Sequence, residues 1–262
     1  SCNPMAENKP TIVHFLLLSI KLALFDIKGL YRRSVIGPFW ITISMGVTAA
    51  TLGFVFGSIF KVPMETFLPS ITAGLIFWAL INNCLNEGCS CFVDSHALIK
   101  QLPLPFFVHI MRLVWRQLFI LGHNFLVLPL VLLFYGKSLS SISFLAIPGL
   151  LLVLIFLTSM ILLFAIICAR YRDLPQVVSS ILQISFYLTP VIWLPSMVPN
   201  RAGIHLLEFN PFFHFLELTR GPLLGNIPSL TSWLVVILLL LVGWGITLMF
   251  FFRFRNRIAY WI

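Results

Sequence analysis

Amides and ionisable side chains inside otherwise apolar sequence are the residues with chemistry to offer here. Asn82, Asn83, Asn86 and Glu87 fall within two turns of one hydrophobic run, and Arg112 and Arg116 stand near the start of the next. At helical spacing Asn83 and Glu87 share a face, as do Asn82 and Asn86. Charges in such a setting are costly, so they face a partner helix or a wet path. Two readings follow for Asn83, Glu87, Arg112 and Arg116: a salt bridge between neighbouring helices, or the polar entry to a transport path. His123 and Asn124 lie deeper in the third run. No chain of acids accompanies them, which favours inter-helix hydrogen bonding over a proton relay.

Two His-x-x-Glu pairs occur, His205 with Glu208 and His214 with Glu217. On helices the partners are i,i+3 neighbours, so a metal site is geometrically open to them. The simpler reading is a pair of amphipathic helices whose polar faces meet water or headgroups, with no metal. HExxH, GxSxG and DxD are all missing, and a His-x-x-Glu at a wet surface needs no pKa tuning. No catalytic residue is expected. Gly136-Lys137-Ser138 suggests a phosphate-binding loop, but that motif needs a glycine where Val131 stands. ATP must therefore be bound by another chain. The five cysteines, Cys2, Cys84, Cys89, Cys91 and Cys168, form no CxxC pair; they read as small apolar residues.

The elements that carry these residues follow from composition. Of 262 residues, 60% are hydrophobic and 10% charged, and the mean hydropathy is +1.02. Soluble domains run near ~25% charged. A polytopic all-α membrane protein is expected, with no mass left for a separate catalytic domain. Residues 10–36 form a basic amphipathic segment with Lys21, Lys28, Arg32 and Arg33, too charged to span but suited to a membrane surface. No cleavable leader is read in the first 37 residues. Six spans are predicted at 39–60, 68–91, 106–135, 144–169, 176–195 and 231–252, each near the ~20 residues that cross a ~30 Å core. Residues 92–105 form a loop or short surface helix, 171–175 a tight polar turn, and 196–229 a mixed segment with short helices. Ala49, Gly53 and Gly57 form a small-residue stripe that predicts close helix packing, within the chain or at a dimer seam.

The net charge of +9 reflects positive-inside bias and anionic lipid rather than nucleic acid. With the amino terminus inside, the inner side holds Lys9, Lys21, Lys28, Arg32, Arg33, Lys100, Arg112, Arg116, Arg170, Arg172, Arg253, Arg255 and Arg257. The outer side keeps only Lys61, Lys137, Arg201 and Arg220. Both termini are then cytoplasmic. The 26 Phe, 7 Trp and 5 Tyr suit lipid-facing and interfacial positions. Some are available to line a path for sugars, whose apolar faces stack on flat rings.

Three stretches together resemble the membrane (permease) subunit of ABC-2 type exporters, specifically the polysaccharide branch. They are Tyr31-Arg32-Arg33-Ser34-Val35-Ile36-Gly37-Pro38-Phe39-Trp40, then Arg170-Tyr171-Arg172-Asp173-Leu174 with Phe186-Tyr187-Leu188-Thr189-Pro190-Val191, and Asn210-Pro211 followed by His214, Glu217 and Arg220. Their order and the six-span frame extend the resemblance over nearly the whole chain, as a single transmembrane domain, 1–262. It implies a homodimer in the bacterial inner membrane joined to two copies of an ATPase subunit. That partner holds ATP and Mg, and this chain binds no cofactor. The substrate implied is a polysaccharide on undecaprenyl diphosphate: O-antigen, capsule or teichoic acid. Residues 10–36 become the interface helix, and Arg32 and Arg33 the grip on the diphosphate, or plain membrane anchors. Asp94, His96 and Lys100, with Arg170, Arg172 and Asp173, become the contact with the ATPase. Asn210, Pro211, His214, Glu217 and Arg220 become the outer gate. The alternative is an ABC-2 type efflux permease for a small hydrophobic drug or ion. A glycosyltransferase on lipid carriers lacks its acid pair or metal motif, and a proton-coupled carrier is the remaining rival.

Overall fold

The computed structural model describes residues 11–32, 34–101, 104–197 and 207–262. Among these residues all regular structure is helical. Five segments are long and apolar enough to cross a membrane: Phe39–Phe60, Met64–Asp94, Phe106–Phe134, Ser141–Arg170 and Leu230–Trp261.

The first helix, α1 (Ile12–Leu30), buries Ser19, Ala23 and Ile27, a four-residue repeat that lays one stripe against the bundle. Val13, Leu17 and Leu24 are exposed, as an interfacial helix requires. The next helix, α2 (Phe39–Phe60), buries only Ala49, Gly53 and Gly57. The small-residue stripe is thus spent inside the chain, against α3 (Met64–Asp94). A methyl group on Gly53 would collide with the Leu68 side chain, and one on Gly57 would lie 2.6 Å from Met64 Sδ. The third helix is the hub: 72% of its most apolar window is buried, and it touches α2, α5 and α7. It starts before the expected boundary and carries Pro69 inside it. Pro69 offers no N–H to the Glu65 carbonyl one turn earlier. Lys137 Nζ donates to that carbonyl instead, at 2.6 Å.

After the short α4 (His96–Gln101), the third predicted span divides into α5 (Phe106–Phe125) and α6 (Val127–Phe134). Pro129 explains the break, because its ring removes the bond to the Phe125 carbonyl and crowds it. The loosened His123 carbonyl accepts from Thr42 Oγ1 of α2 at 2.9 Å, while the His123 ring bonds within its own helix to Phe119 O. A 3₁₀ turn (Ser141–Leu145) leads into α7 (Ala146–Arg170).

The helix after the polar turn, α8 (Leu174–Leu188), stops well short of the predicted 176–195. Its 15 residues extend ~22 Å at 1.5 Å per residue, below the ~30 Å core. The stop falls at Thr189-Pro190, where the residue before proline is driven out of helical geometry. Next come α9 (Pro211–Leu223) and α10 (Leu230–Trp261). Arg253, Arg255 and Arg257 do not close the last helix; they ride on its final turns. Thirty-two residues reach ~48 Å, so those turns project beyond an apolar core.

α7 and α10 form a close pair. Thr247 Oγ1 and Trp244 Nε1 of α10 donate to the Ser159 and Ile155 carbonyls, each at 3.1 Å. One end of the bundle, the basic end, gathers α1, α4, the start of α5 and the ends of α7 and α10, where most of the basic residues lie. The far end carries α9.

Candidate functional site

The ion network at the basic end is built from three helices. Arg112 and Arg116 lie one turn apart on α5 and point the same way. Arg112 grips Asp26 of α1 with both prongs of its fork, Nε to Oδ2 at 2.7 Å and Nη2 to Oδ1 at 2.5 Å. Arg116 reaches Asp26 Oδ2 at 3.5 Å and also pairs with Glu87 of α3. Gln117 Nε2 completes the shell of Glu87 at 2.9 Å. Asp26 is only 12% exposed, against 38% for Glu87. Two cations meet two anions, so the cluster is neutral and neither of its guanidinium groups is left over for an anionic ligand.

Of the two readings of Glu87, Arg112 and Arg116, the geometry is that of inter-helix pairing. It differs from the expected version in one respect: Arg112 turns to Asp26. Sequence reasoning did not single out Asp26. Its one signal was a lone acid between Lys21 and Lys28 in a basic helix, flanking the buried Ala23–Ile27 stripe. Asn83 does not join this network and lines a separate groove with Asn82 and Asn124.

The expected ATPase contacts are exposed at the basic end. Asp94 accepts from Ser90 Oγ at 2.5 Å, His96 Nδ1 lies 3.0 Å from the Val93 carbonyl, and Lys100 is in the last turn of α4. Arg170 stacks on the rings of Tyr171 and Trp261 at 5.4 and 5.3 Å. Arg172 Nη2 donates to the Trp261 carbonyl at 3.3 Å, tying the α7–α8 turn to the end of α10. Asp173 occupies the N-cap position of α8 without capping it through its side chain. Arg32 is exposed just past α1. Arg33 and His205 lie outside the described residues.

The far-end helix α9 departs from its expected wet surface. His214 is 2% exposed and Arg220 7%. The His214 ring lies 2.7 Å from both Ser232 Oγ of α10 and the Glu208 carbonyl, so both nitrogens are occupied by protein. Glu217 accepts from Ser229 N at 2.9 Å and from Ser232 Oγ. Arg220 Nη1 donates to the Pro190 carbonyl at 2.6 Å. His214 and Arg220 on the polar face of α9 are therefore turned into the bundle, where buried polar groups take protein partners. Asn210 caps the helix, its Oδ1 accepting from Phe212 N at 3.0 Å while its Nδ2 donates to Thr189 Oγ1 at 2.9 Å; Pro211 takes the first helical position. Asn210→Ala is expected to cost about 1 kcal/mol, the usual value of an N-cap. Thermal unfolding in detergent, with Asn210→Ser as the retained cap, measures it.

Close approach of backbones seats α9. A methyl group on Gly149 of α7 would collide with the Leu218 carbonyl oxygen, and one on Gly74 of α3 would lie 2.9 Å from the Val191 carbonyl oxygen.

Long apolar helices around a buried hub, a basic amphipathic helix clamped to one end and a short helix inserted at the other describe a membrane transport subunit. The chain matches the ABC-2 type transporter family over residues 22–224, and it belongs to that family. That span runs from within α1, ahead of Asp26, to the end of α9. The relatives it matches are named O-antigen export system permease protein RfbA. One from Klebsiella pneumoniae is 24% identical over 191 residues, 71% of this chain and 72% of that protein. One from Myxococcus xanthus is 26% identical over 200 residues, 74% and 75% of the two chains.

Proposed function

We propose that this chain is the transmembrane subunit of an ATP-driven exporter that moves a lipid-linked polysaccharide across the bacterial inner membrane. The observation that carries this reading is the match to O-antigen export permeases along about three quarters of the chain, on a frame of long apolar helices. In this reading two copies work with two ATPase subunits, which hold ATP and Mg. Both termini face the cytoplasm. The inner-side excess of Lys and Arg supports that orientation.

The substrate is a glycan on undecaprenyl diphosphate. Its diphosphate sits at headgroup level beside the α1–α2 turn, where Arg32 and Arg33 form charge-assisted hydrogen bonds to it. The exposed groups from Asp94 to Lys100 and from Arg170 to Asp173 meet the ATPase. ATP-driven closure there biases the helices between two arrangements, and α9 with Asn210, Pro211, His214, Glu217 and Arg220 serves as the outer gate. With His214 and Arg220 buried and Asn210 and Glu217 bonded to neighbouring segments, these residues make a seat that holds α9 until the bundle rearranges.

Deleting the gene in its native host tests the reading. Loss of surface polysaccharide with accumulation of lipid-linked glycan inside the cell is expected, together with copurification of a P-loop protein with the tagged chain. Normal surface glycan, or transport that survives ATP depletion, would overturn it. Replacing Arg32 and Arg33 together with Ala is expected to lower export about tenfold, the effect of losing ~1.4 kcal/mol of headgroup interaction, with insertion unchanged. Quantified surface glycan and a membrane-fraction blot measure the two.

A further inference from the structure

The polar run Asn82 to Glu87 splits in two. Glu87 belongs to the ion network, while Asn82 and Asn83 open into a groove of about 460 Å³ between α2, α3 and α5. We infer that this groove is a saccharide subsite for the carrier-proximal sugar of the exported glycan, an inference that rests on the proposed function.

Its size falls within the ~300–1,000 Å³ of small-molecule sites. Three aromatic rings line it, Tyr31, Trp40 and Trp78, with three amides, Asn82, Asn83 and Asn124. Among the described residues no Asp, Glu, Lys or Arg lines it, which disfavours an anion or a cation and favours a neutral polar ligand. A pyranose fits both halves of the lining. Its C–H face packs on flat rings, and its hydroxyls need groups that donate and accept, as an amide does.

The amides are available. Asn124 is 4% exposed, and its Oδ1 is buried without a hydrogen-bond partner among the described residues. Buried polar atoms are normally satisfied, so this oxygen is an acceptor awaiting a donor from water or ligand. Asn82 Oδ1 accepts from Asn86 Nδ2 at 3.1 Å, which orients the amide and leaves its own NH₂ to donate. Trp78 is held by Phe186 and Phe212, with ring centroids 5.7 and 5.4 Å away, so the platform is preorganised. The larger cavity between α5 and α7, about 760 Å³, has no amide among the described residues of its lining.

Position selects which sugar is read. Tyr31, at one edge of the groove, adjoins Arg32 in sequence. A diphosphate held at Arg32 presents the sugar bonded directly to it at that edge. The groove then reads the first residue of the glycan.

The test uses the full chain in lipid nanodiscs, titrated with two probes and followed by tryptophan fluorescence. One probe is bare undecaprenyl diphosphate. The other is the same lipid carrying one glucosyl or one N-acetylglucosaminyl residue. The sugar-bearing lipid is expected to bind about tenfold tighter, the difference made by one or two good hydrogen bonds. Asn124→Leu and Asn83→Leu, near in volume, should abolish that advantage and leave binding of the bare lipid intact. Ala79→Phe, which fills the groove and keeps all three amides in the sequence, should do the same. Equal binding of the two lipids by the unaltered chain would overturn the subsite and leave the export reading standing. The subsite falls equally if Asn124→Leu and Ala79→Phe both keep the advantage, or if both lose the bare lipid too. If neither lipid binds, the diphosphate-carrier reading itself falls, and the subsite with it.

Discussion

Asp26→Arg is expected to detach the interface helix and abolish coupled transport. In the native protein Asp26 accepts both prongs of Arg112 and one contact from Arg116. Reversal puts three guanidinium groups around the single carboxylate of Glu87. Breaking a buried pair costs about 3–5 kcal/mol. Asp26 and Arg112 keep 12% and 21% of their side-chain surface exposed, so about 2–4 kcal/mol is the expected loss after screening. Most of it should fall on α1, whose buried stripe of Ser19, Ala23 and Ile27 is too narrow to hold it alone. Protease sensitivity of α1 in nanodiscs reads the detachment, and surface glycan reads the function. The double variant Asp26→Arg with Arg112→Asp restores one opposite-charge pair and should recover part of both. A helix that stays docked in the single variant would show that its contact with α5 is carried by apolar packing.

Gly149→Val should displace α9 from its seat, the second large effect. Even a methyl group at this position would run into the Leu218 carbonyl oxygen, and backbone cannot rotate aside as a side chain does. Overpacking of this kind costs about 1–3 kcal/mol, and a β-branched residue falls at the upper end. Moving α9 also disturbs the bond from Arg220 to Pro190 and the cluster of His214, Ser232 and Glu217. Leaky permeation of small solutes through the assembled exporter, with lowered thermal stability, is the expected pair of results. Gly53→Ala offers a contrast: its obstacle is the flexible end of Leu68, so a milder loss is expected. Gly245→Ala faces open space and should change stability by less than about 0.5 kcal/mol. Equal effects at Gly149 and Gly245 would count against the close seat.

The elements that position the network are legible in the sequence because each is set by a local pattern. Hydropathy over ~20 residues identifies a span wherever it occurs, and five of the predicted spans coincide with long apolar helices. Thr189-Pro190 and Pro129 are equally visible as breakers, yet two predicted spans run through or past them. Hydropathy continues across a proline, while the hydrogen-bond ladder does not. Glu87 and the arginines of α5 are readable as partners because charge in an apolar run must be met.

Asp26 is not readable in this way, since an acid in an amphipathic basic helix looks solvated until its neighbour is known. Its partner Arg112 is 86 residues away. His214, Glu217 and Arg220 follow the helical spacing of a surface helix, and nothing in that spacing says which face meets the bundle.

The sequence alone determined the class of environment: a chain this apolar, with charge concentrated at one side of its spans, has to lie in a membrane, because water would not tolerate the exposed surface. It also marked Glu87 and the arginines of α5 as charges that must be met inside apolar runs. Tertiary structure decided how they are used. Side chains distant in sequence meet only when helices pack, and the approach of Gly149 to Leu218, the grip of Arg112 on Asp26 and the separation of Asn83 from Glu87 all depend on the rotation of helices about their own axes. That rotation is set by the combined packing of every face, a property that no single segment contains.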